Sequence, residues 1–391
     1  MPETRPLPPF WLERYLAPRE FSTRHMLCGS DSESLTVKQA LELASEEGRA
    51  LWDNMNLMYT PTQGSLFLRE AVARHYAGVG AEQVMVSSPQ DCIFAAMGAL
   101  LEQLSGAVIV TYPGYQSLYE LADCRNRPVL RWEPRSDGAE EPLTFYLADL
   151  ERLFDEAEEK GHAAQLLVVN FPHNPTGYMP TREEWRRIVE IAESRGAVLF
   201  SDEMYRGLEM DPSDRLPSAV EVYKRAITLS GVSKNLGMPG ARMGWVVTHM
   251  PEVITRALEI KDYTTICSPP PSEVLAYIAL EAAETILEER RCIIRENLKY
   301  MESWSKRWGH VLTWHSPRAG TIAFPTLQEQ CGDADQFCAR ALEEAGVLLL
   351  PGTVYDFEPG NRRVRFGFGR RSFREGMEAL TRMLEKMHAQ S

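Results

Sequence analysis

Short apolar runs at residues 83–87, 107–111, 165–170, 197–201, 226–229 and 243–248 read as buried strands, and most of the stretches between them carry apolar residues at helical spacing. Strands that alternate with helices in this way predict a doubly wound α/β domain built on a mainly parallel sheet. Ligand-binding loops of such sheets leave the carboxyl ends of the strands, and most of the polar motifs of this chain fall at those ends. After about Pro271 the pattern changes. A long charged helical stretch over 272–308 is followed by short strand candidates near 321–324, 347–350 and 364–368. These predict a smaller α+β domain, joined by a Pro-rich arm around residues 8–15. The expected division is 1–45 for the arm and part of the small domain, 46–275 for the large domain and 276–391 for the small C-terminal domain.

Composition narrows the class. The chain has 391 residues, 44% hydrophobic and 25% charged, with a formal net charge of -13. That balance suits a globular enzyme and argues against nucleic acid as a partner, since a phosphate backbone is met by a basic face. No run approaches the roughly 20 apolar residues that cross a bilayer, and the first residues lack the apolar segment of a secretory signal. No membrane partner and a cytoplasmic location are therefore expected. Seven scattered cysteines without a Cys-x-x-Cys pair predict free thiols rather than disulfides or a zinc site, and isolated histidines such as His173 predict no metal centre.

Three strand ends carry chemistry. The run Val169-Asn-Phe-Pro-His-Asn-Pro-Thr-Gly177 ends a strand in a turn that presents Asn174, an amide able to donate to an oxygen anion on a ring. The run Val198-Leu-Phe-Ser-Asp-Glu-Met-Tyr205 leads from apolar residues straight into Asp202, and a carboxylate at the end of a buried strand needs a cation or strong hydrogen bonds. A protonated pyridine nitrogen meets that need, and Tyr205 follows three residues later. In Leu229-Ser-Gly-Val-Ser-Lys-Asn-Leu-Gly-Met-Pro-Gly-Ala-Arg-Met-Gly-Trp245, one amine, Lys234, lies among hydroxyls and glycines with Arg242 eight positions on. An enzyme that holds an aldehyde cofactor as an imine and grips its phosphate needs such a set.

In these motifs, in their order and spacing, the chain resembles the fold-type I, class I/II aminotransferases that use pyridoxal 5'-phosphate (PLP), over nearly its whole length. The resemblance implies that Lys234 forms the Schiff base and then moves a proton at the substrate α-carbon, that Asp202 pairs with the pyridine nitrogen and that Arg242 clamps the phosphate. Asn174 and Tyr205 are implied as partners of the ring oxygen. Tyr115, in Tyr112-Pro-Gly-Tyr-Gln116, is implied to stack on the ring. Tyr59 resembles a tyrosine that reaches the partner's phosphate, implying a homodimer with shared active sites, and Thr264 or Thr265 lies in a stretch that resembles an interface segment. Arg363 and Arg365 share one strand face, and the family spacing favours Arg365 for the α-carboxylate.

Two departures from the family pattern stand out. The phosphate-cradling turn is usually glycine-rich, whereas this chain has Ser87-Ser-Pro-Gln-Asp-Cys-Ile93. Pro89 removes one amide there, leaving Gln90 and Asp91 to offer backbone N–H groups at a helix start. Gly231 stands where many relatives carry serine, so Ser230 or Ser233 is expected to supply the hydroxyl. The expected reaction is amino-group transfer between an amino acid and a 2-oxo acid. The same constellation also serves lyases, cyclases and oxidases, and the chain bears some similarity to capreomycidine synthase-like members. A regulator that has lost catalysis would need an appended DNA-binding module, for which the first 40 residues leave little room.

Overall fold

The computed structural model describes residues 5–137 and 141–390; residues 1–4 of the expected arm and the terminal residue of the expected small domain lie outside them. Seven strands form the main sheet: β1 (Val84–Ser87), β2 (Ala107–Thr111), β3 (Val129–Trp132), β4 (Ala164–Asn170), β5 (Val198–Asp202), β6 (Ala226–Gly231) and β7 (Gly244–Thr248). Their order is β1-β7-β6-β5-β4-β2-β3, and β7 alone runs antiparallel to its neighbours. The apolar runs thus became strands within two residues of their expected ends. The exception is β3, an edge strand only partly buried, whose Arg131 breaks any apolar run.

Central strands are buried on both faces, which is why they read as continuous apolar runs. Alternate residues feed opposite cores: Val108, Val110, Leu166, Val168, Val198 and Phe200 enter one cluster, and Ala107, Ile109, Leu167, Val169 and Leu199 enter the other. Five helices frame or brace the site: α1 (Trp11–Leu16), α2 (Pro89–Gln103), α3 (Pro251–Lys261), α4 (Pro270–Glu281) and α5 (Ala283–Arg307). The stretch expected as one helix over 272–308 is two, because Ala282 leaves helical geometry at φ -96°, ψ 13°. Neither Gly nor Pro marks that break. Beyond α5, β8 (Ile322–Ala323), β9 (Leu350–Pro351) and β10 (Val364–Gly367) form a small antiparallel sheet with β10 in the centre.

Register aligns the chemistry. Asn170 pairs with Asp202 across β4 and β5, while Gly231 and Ser87 both pair with Gly244. The residues that close β1, β4, β5 and β6 therefore lie along one edge of the sheet.

Candidate active site

Lys234 follows β6, and its Nζ donates to Ser30 Oγ at 2.9 Å, 204 residues away in sequence. The same strap fixes the lysine's backbone: Ser32 Oγ donates to the Lys234 carbonyl at 2.6 Å and the Ser32 N–H at 3.3 Å. Burial lowers the Lys234 pKa, and the charges of Arg365 and Arg242 lower it further against an opposing contribution from Asp31. A depressed pKa raises the neutral, nucleophilic fraction of the amine near pH 7.

Asp202 ends β5 at 5% exposure and accepts the Met204 N–H at 3.1 Å on Oδ1. Burial pushes its pKa up to about 7, the Glu203 charge adds to the rise, and the Met204 N–H and Lys234 charge oppose it. A carboxylate built into a strand end at this cost calls for a cation opposite. Asn170, its register partner, donates to the Asp202 carbonyl and accepts the Asn174 N–H at 2.8 Å, so the turn after β4 is tied to the end of β5.

Asn174 Oδ1 meets Arg365 Nη1 at 3.3 Å and the Tyr355 hydroxyl at 3.2 Å, and Arg365 Nη1 donates to the same hydroxyl at 2.7 Å. The rest of the Arg365 fork donates to the Cys28 carbonyl. Arg365 is 1% exposed and faces no carboxylate among the described residues, so neutral oxygens satisfy a buried guanidinium. Arg363 turns its Nη1 to the Phe324 carbonyl instead. Tyr115 packs its ring on Phe10, with centroids 5.0 Å apart; burial lifts its pKa to about 12, and the charges of Asp202 and Arg242 both act on it. Arg242 is exposed and sits in the left-handed region at φ 53°, ψ 40°, a conformation that costs a non-glycine residue about 1 kcal/mol and clusters at functional sites.

At the start of α2, Pro89 takes the first helical position. The expectation that Gln90 and Asp91 would both offer amides is corrected for Asp91: its N–H is taken by Ser88 Oγ at 3.2 Å as the helix N-cap. The Asp91 carboxylate accepts from the hydroxyls of Ser88 at 2.9 Å and Ser87 at 3.4 Å. The glycine at 231 has a steric cause. A Cβ there would lie 2.9 Å from both Gly244 Cα and the Met243 carbonyl, because β6 and β7 close on each other at that point. Of the two serines expected to compensate, Ser230 points its hydroxyl toward the Glu203 carbonyl, whereas Ser233 Oγ is buried without a hydrogen-bond partner.

Tyr59 is 90% exposed, beside the exposed Leu57 and Met58, and Thr60 Oγ1 ties this segment to the Ser268 carbonyl. Thr265 Oγ1 lies 3.4 Å from Ser87 Oγ of its own chain, and Thr264 Oγ1 donates to the Lys261 carbonyl.

PLP fits this set of residues on internal grounds. The hydroxyls of Tyr205 and Ser233, both able to donate, are buried without hydrogen-bond partners, and Asp202 is a buried acid without an ion pair among the described residues. Buried polar atoms of that kind are rare unless something else satisfies them. Ser30, Tyr355 and the Cys28 carbonyl could not be foreseen. Small polar residues in Cys28-Gly-Ser-Asp-Ser32 were the only signal, and nothing in sequence says that they fold onto position 234. Replacing Ser30 with alanine should lower the Lys234 pKa further, because an acceptor that favours the ammonium form is lost. In cofactor-free protein, labelling of Lys234 by a small amine-reactive reagent should accordingly begin at lower pH, with Ser30→Thr restoring the wild-type profile.

Fold and site together define a fold-type I PLP-dependent enzyme. The profile of the family described as aminotransferase class I and II matches residues 27–380, and the chain belongs to that family. Among curated relatives, it is 28% identical to a capreomycidine synthase from Streptomyces vinaceus, over 98% of this chain and 95% of that one. It is 27% identical to an aspartate aminotransferase from Thermotoga maritima, over 88% and 85% of the two chains. Among solved structures, a PLP-dependent aminotransferase from Streptococcus suis superposes with a TM-score of 0.84 at 28% identity, covering 97% of this chain and 98% of that one. The PLP-dependent cyclase OrfR superposes at 0.85 with 25% identity, covering 98% of each. Among the described residues, no helix is long and apolar enough to cross a membrane.

Proposed function

We propose that this protein is an aminotransferase that moves an amino group between an amino acid and a 2-oxo acid. The observation that carries the proposal is the convergence of a pKa-depressed Lys234 amine, a buried unpaired Asp202 and a buried Arg365 that meets only neutral oxygens. When bound, PLP supplies an aldehyde that condenses with amines and a pyridinium that draws electrons from the substrate α-carbon. The chain's residues do the rest. Asp202 keeps the ring nitrogen protonated, and Asn174 and Tyr205 donate to the ring oxygen. Arg242, Ser233 and the Gln90 amide at the start of α2 hold the phosphate, and Tyr115 covers a ring face. Arg365 exchanges its bonds to neutral oxygens for a bidentate bond to the substrate carboxylate, fixing the α-carbon against Lys234. Lys234 Nζ would then take the proton from the substrate α-carbon, and Ser30 Oγ, 2.9 Å away, would hold that nitrogen in place.

A homodimer is part of the proposal. Leu57, Met58, Tyr59, Tyr263 and Ile266 expose apolar side chains on two segments joined by the Thr60–Ser268 hydrogen bond, which suits a face that a second copy covers. A cytoplasmic location agrees with seven unpaired cysteines. Elimination with ring closure is the second reading, favoured by the near full-length match to a capreomycidine synthase and by the cyclase neighbour. Purified enzyme incubated with pooled amino acids, with and without 2-oxo acids, separates them. Amino-acid product that depends on an added oxo acid supports transfer. Product formed equally without one, with an altered side chain, overturns transfer in favour of the second reading.

A further inference from the structure

Asn174 can serve a ring oxygen only if the NH2 end of its amide, not the carbonyl end, faces the ring. Its Oδ1 meets Arg365 Nη1 at 3.3 Å. A guanidinium carries donors and no acceptor, so the Asn174 atom turned to it is the oxygen and the NH2 end points away. The Tyr355 hydroxyl lies 3.2 Å from the same oxygen and 2.7 Å from the same Nη1. Its proton therefore goes to Asn174 Oδ1, while its lone pair accepts from Arg365. The three groups close a triangle in which every donor and acceptor role follows from the arginine.

Tyr355 is built in to hold that arrangement. Leu350 of β9 pairs with Arg365 of β10, and the chain beyond β9 turns through 352–355, which brings the tyrosine back beside the arginine. The side chain is buried, its ring stands edge-on to Phe324 with centroids 6.0 Å apart, and its carbonyl accepts the Tyr112 hydroxyl at 2.6 Å. The Asn174 backbone is held separately, through its N–H to Asn170 Oδ1 at 2.8 Å, so the triangle governs the side-chain amide alone. Asn174 Nδ2 donates to no group among the described residues and is left for a ligand.

When Arg365 turns its fork to a substrate carboxylate, its bond to Asn174 Oδ1 is given up. Among the described residues, the Tyr355 hydroxyl is then the donor that remains on that oxygen. Resting on the roles proposed above for Asn174 and Arg365, we propose that Tyr355 is a positioning residue: it keeps the Asn174 NH2 turned to the ring oxygen while Arg365 is engaged with substrate. Its hydroxyl matters most in the substrate-bound state, and it acts through Asn174.

The test titrates the absorbance band of bound PLP against pH, with and without saturating propionate, which has the carboxylate of an amino acid but no amine. A donor on the ring oxygen favours its ionised form and lowers the midpoint, whereas a bound anion raises it. Without propionate, Tyr355→Phe should keep the wild-type midpoint, because Arg365 still fixes the amide. With propionate, its midpoint should lie about one pH unit above that of wild type, the worth of one hydrogen bond. In an Asn174→Ala background the same change should add nothing in either state. Steady-state kinetics should show kcat lowered about tenfold with KM within about threefold of wild type. The inference is overturned if the midpoint with propionate does not move, if it moves equally in the Asn174→Ala background, or if KM rises at unchanged kcat, which would assign the hydroxyl to the carboxylate grip of Arg365 alone. Failure of the underlying reading looks different: the wild-type band then does not titrate, or propionate leaves its midpoint where it was.

Discussion

Lys234→Ala is expected to lose at least roughly 10²–10⁴-fold in turnover, the range that a positioned proton-transfer group contributes, and more because the covalent attachment point goes with it. Its Nζ comes to this edge of the sheet with a depressed pKa and is held by Ser30 Oγ at 2.9 Å. Alanine also leaves the Ser30 hydroxyl without that donor, so the change removes nucleophile, base and strap contact together. Intact-mass analysis after borohydride reduction of PLP-loaded protein should find an adduct on the wild type and none on the variant. A variant that transaminates at the wild-type rate would refute the assignment.

Asp202→Asn should act in opposite directions on the two forms of the protein. In the cofactor-free form, the Asp202 carboxyl titrates at about 7, above its ordinary value of 3.8. An acid with a raised folded-state pKa binds more protons folded than unfolded between those two values, so it costs stability as pH rises from about 4 to about 7, and the loss persists above 7. A rise of that size corresponds to at most about 4 kcal/mol. Asparagine keeps an oxygen for the Met204 N–H but cannot ionise. The variant should therefore melt higher than wild type at pH 8 without cofactor and close to it at pH 4. With cofactor the order reverses, because a neutral amide does not pair with the pyridinium, and PLP retention and turnover should both fall. Thermal melts at the two pH values, with and without PLP, measure both halves. A variant that retains PLP as tightly as wild type would overturn the proposed role of Asp202.

Much of this site was legible because its parts are local. A strand that runs into Asp202, a turn that presents Asn174, and a lysine followed eight residues later by an arginine are each contained in a short stretch, and strand burial on both faces makes such stretches apolar up to the functional residue. The edge strand at 129–132 was missed for the converse reason, since its partial burial leaves Arg131 in an otherwise apolar run. The break at Ala282 left no mark in the sequence, because neither a glycine nor a proline stands there.

By itself the sequence determined the α/β architecture, the family and the residues that stand at the ends of β4, β5 and β6, because periodicity and strand-end polarity are properties of contiguous residues. Only the tertiary structure decided how those residues are supported. The contact of Ser30 with Lys234 spans 204 residues and that of Arg365 with Asn174 spans 191, and no local pattern encodes separations of that size. It also decided that Ser233 rather than Ser230 has a free hydroxyl, and that the Asp91 amide is consumed by its own helix cap. Each of these is a matter of which groups meet in space, set by sheet register and by the packing of residues 28–32 and of β10 against the ends of the main sheet.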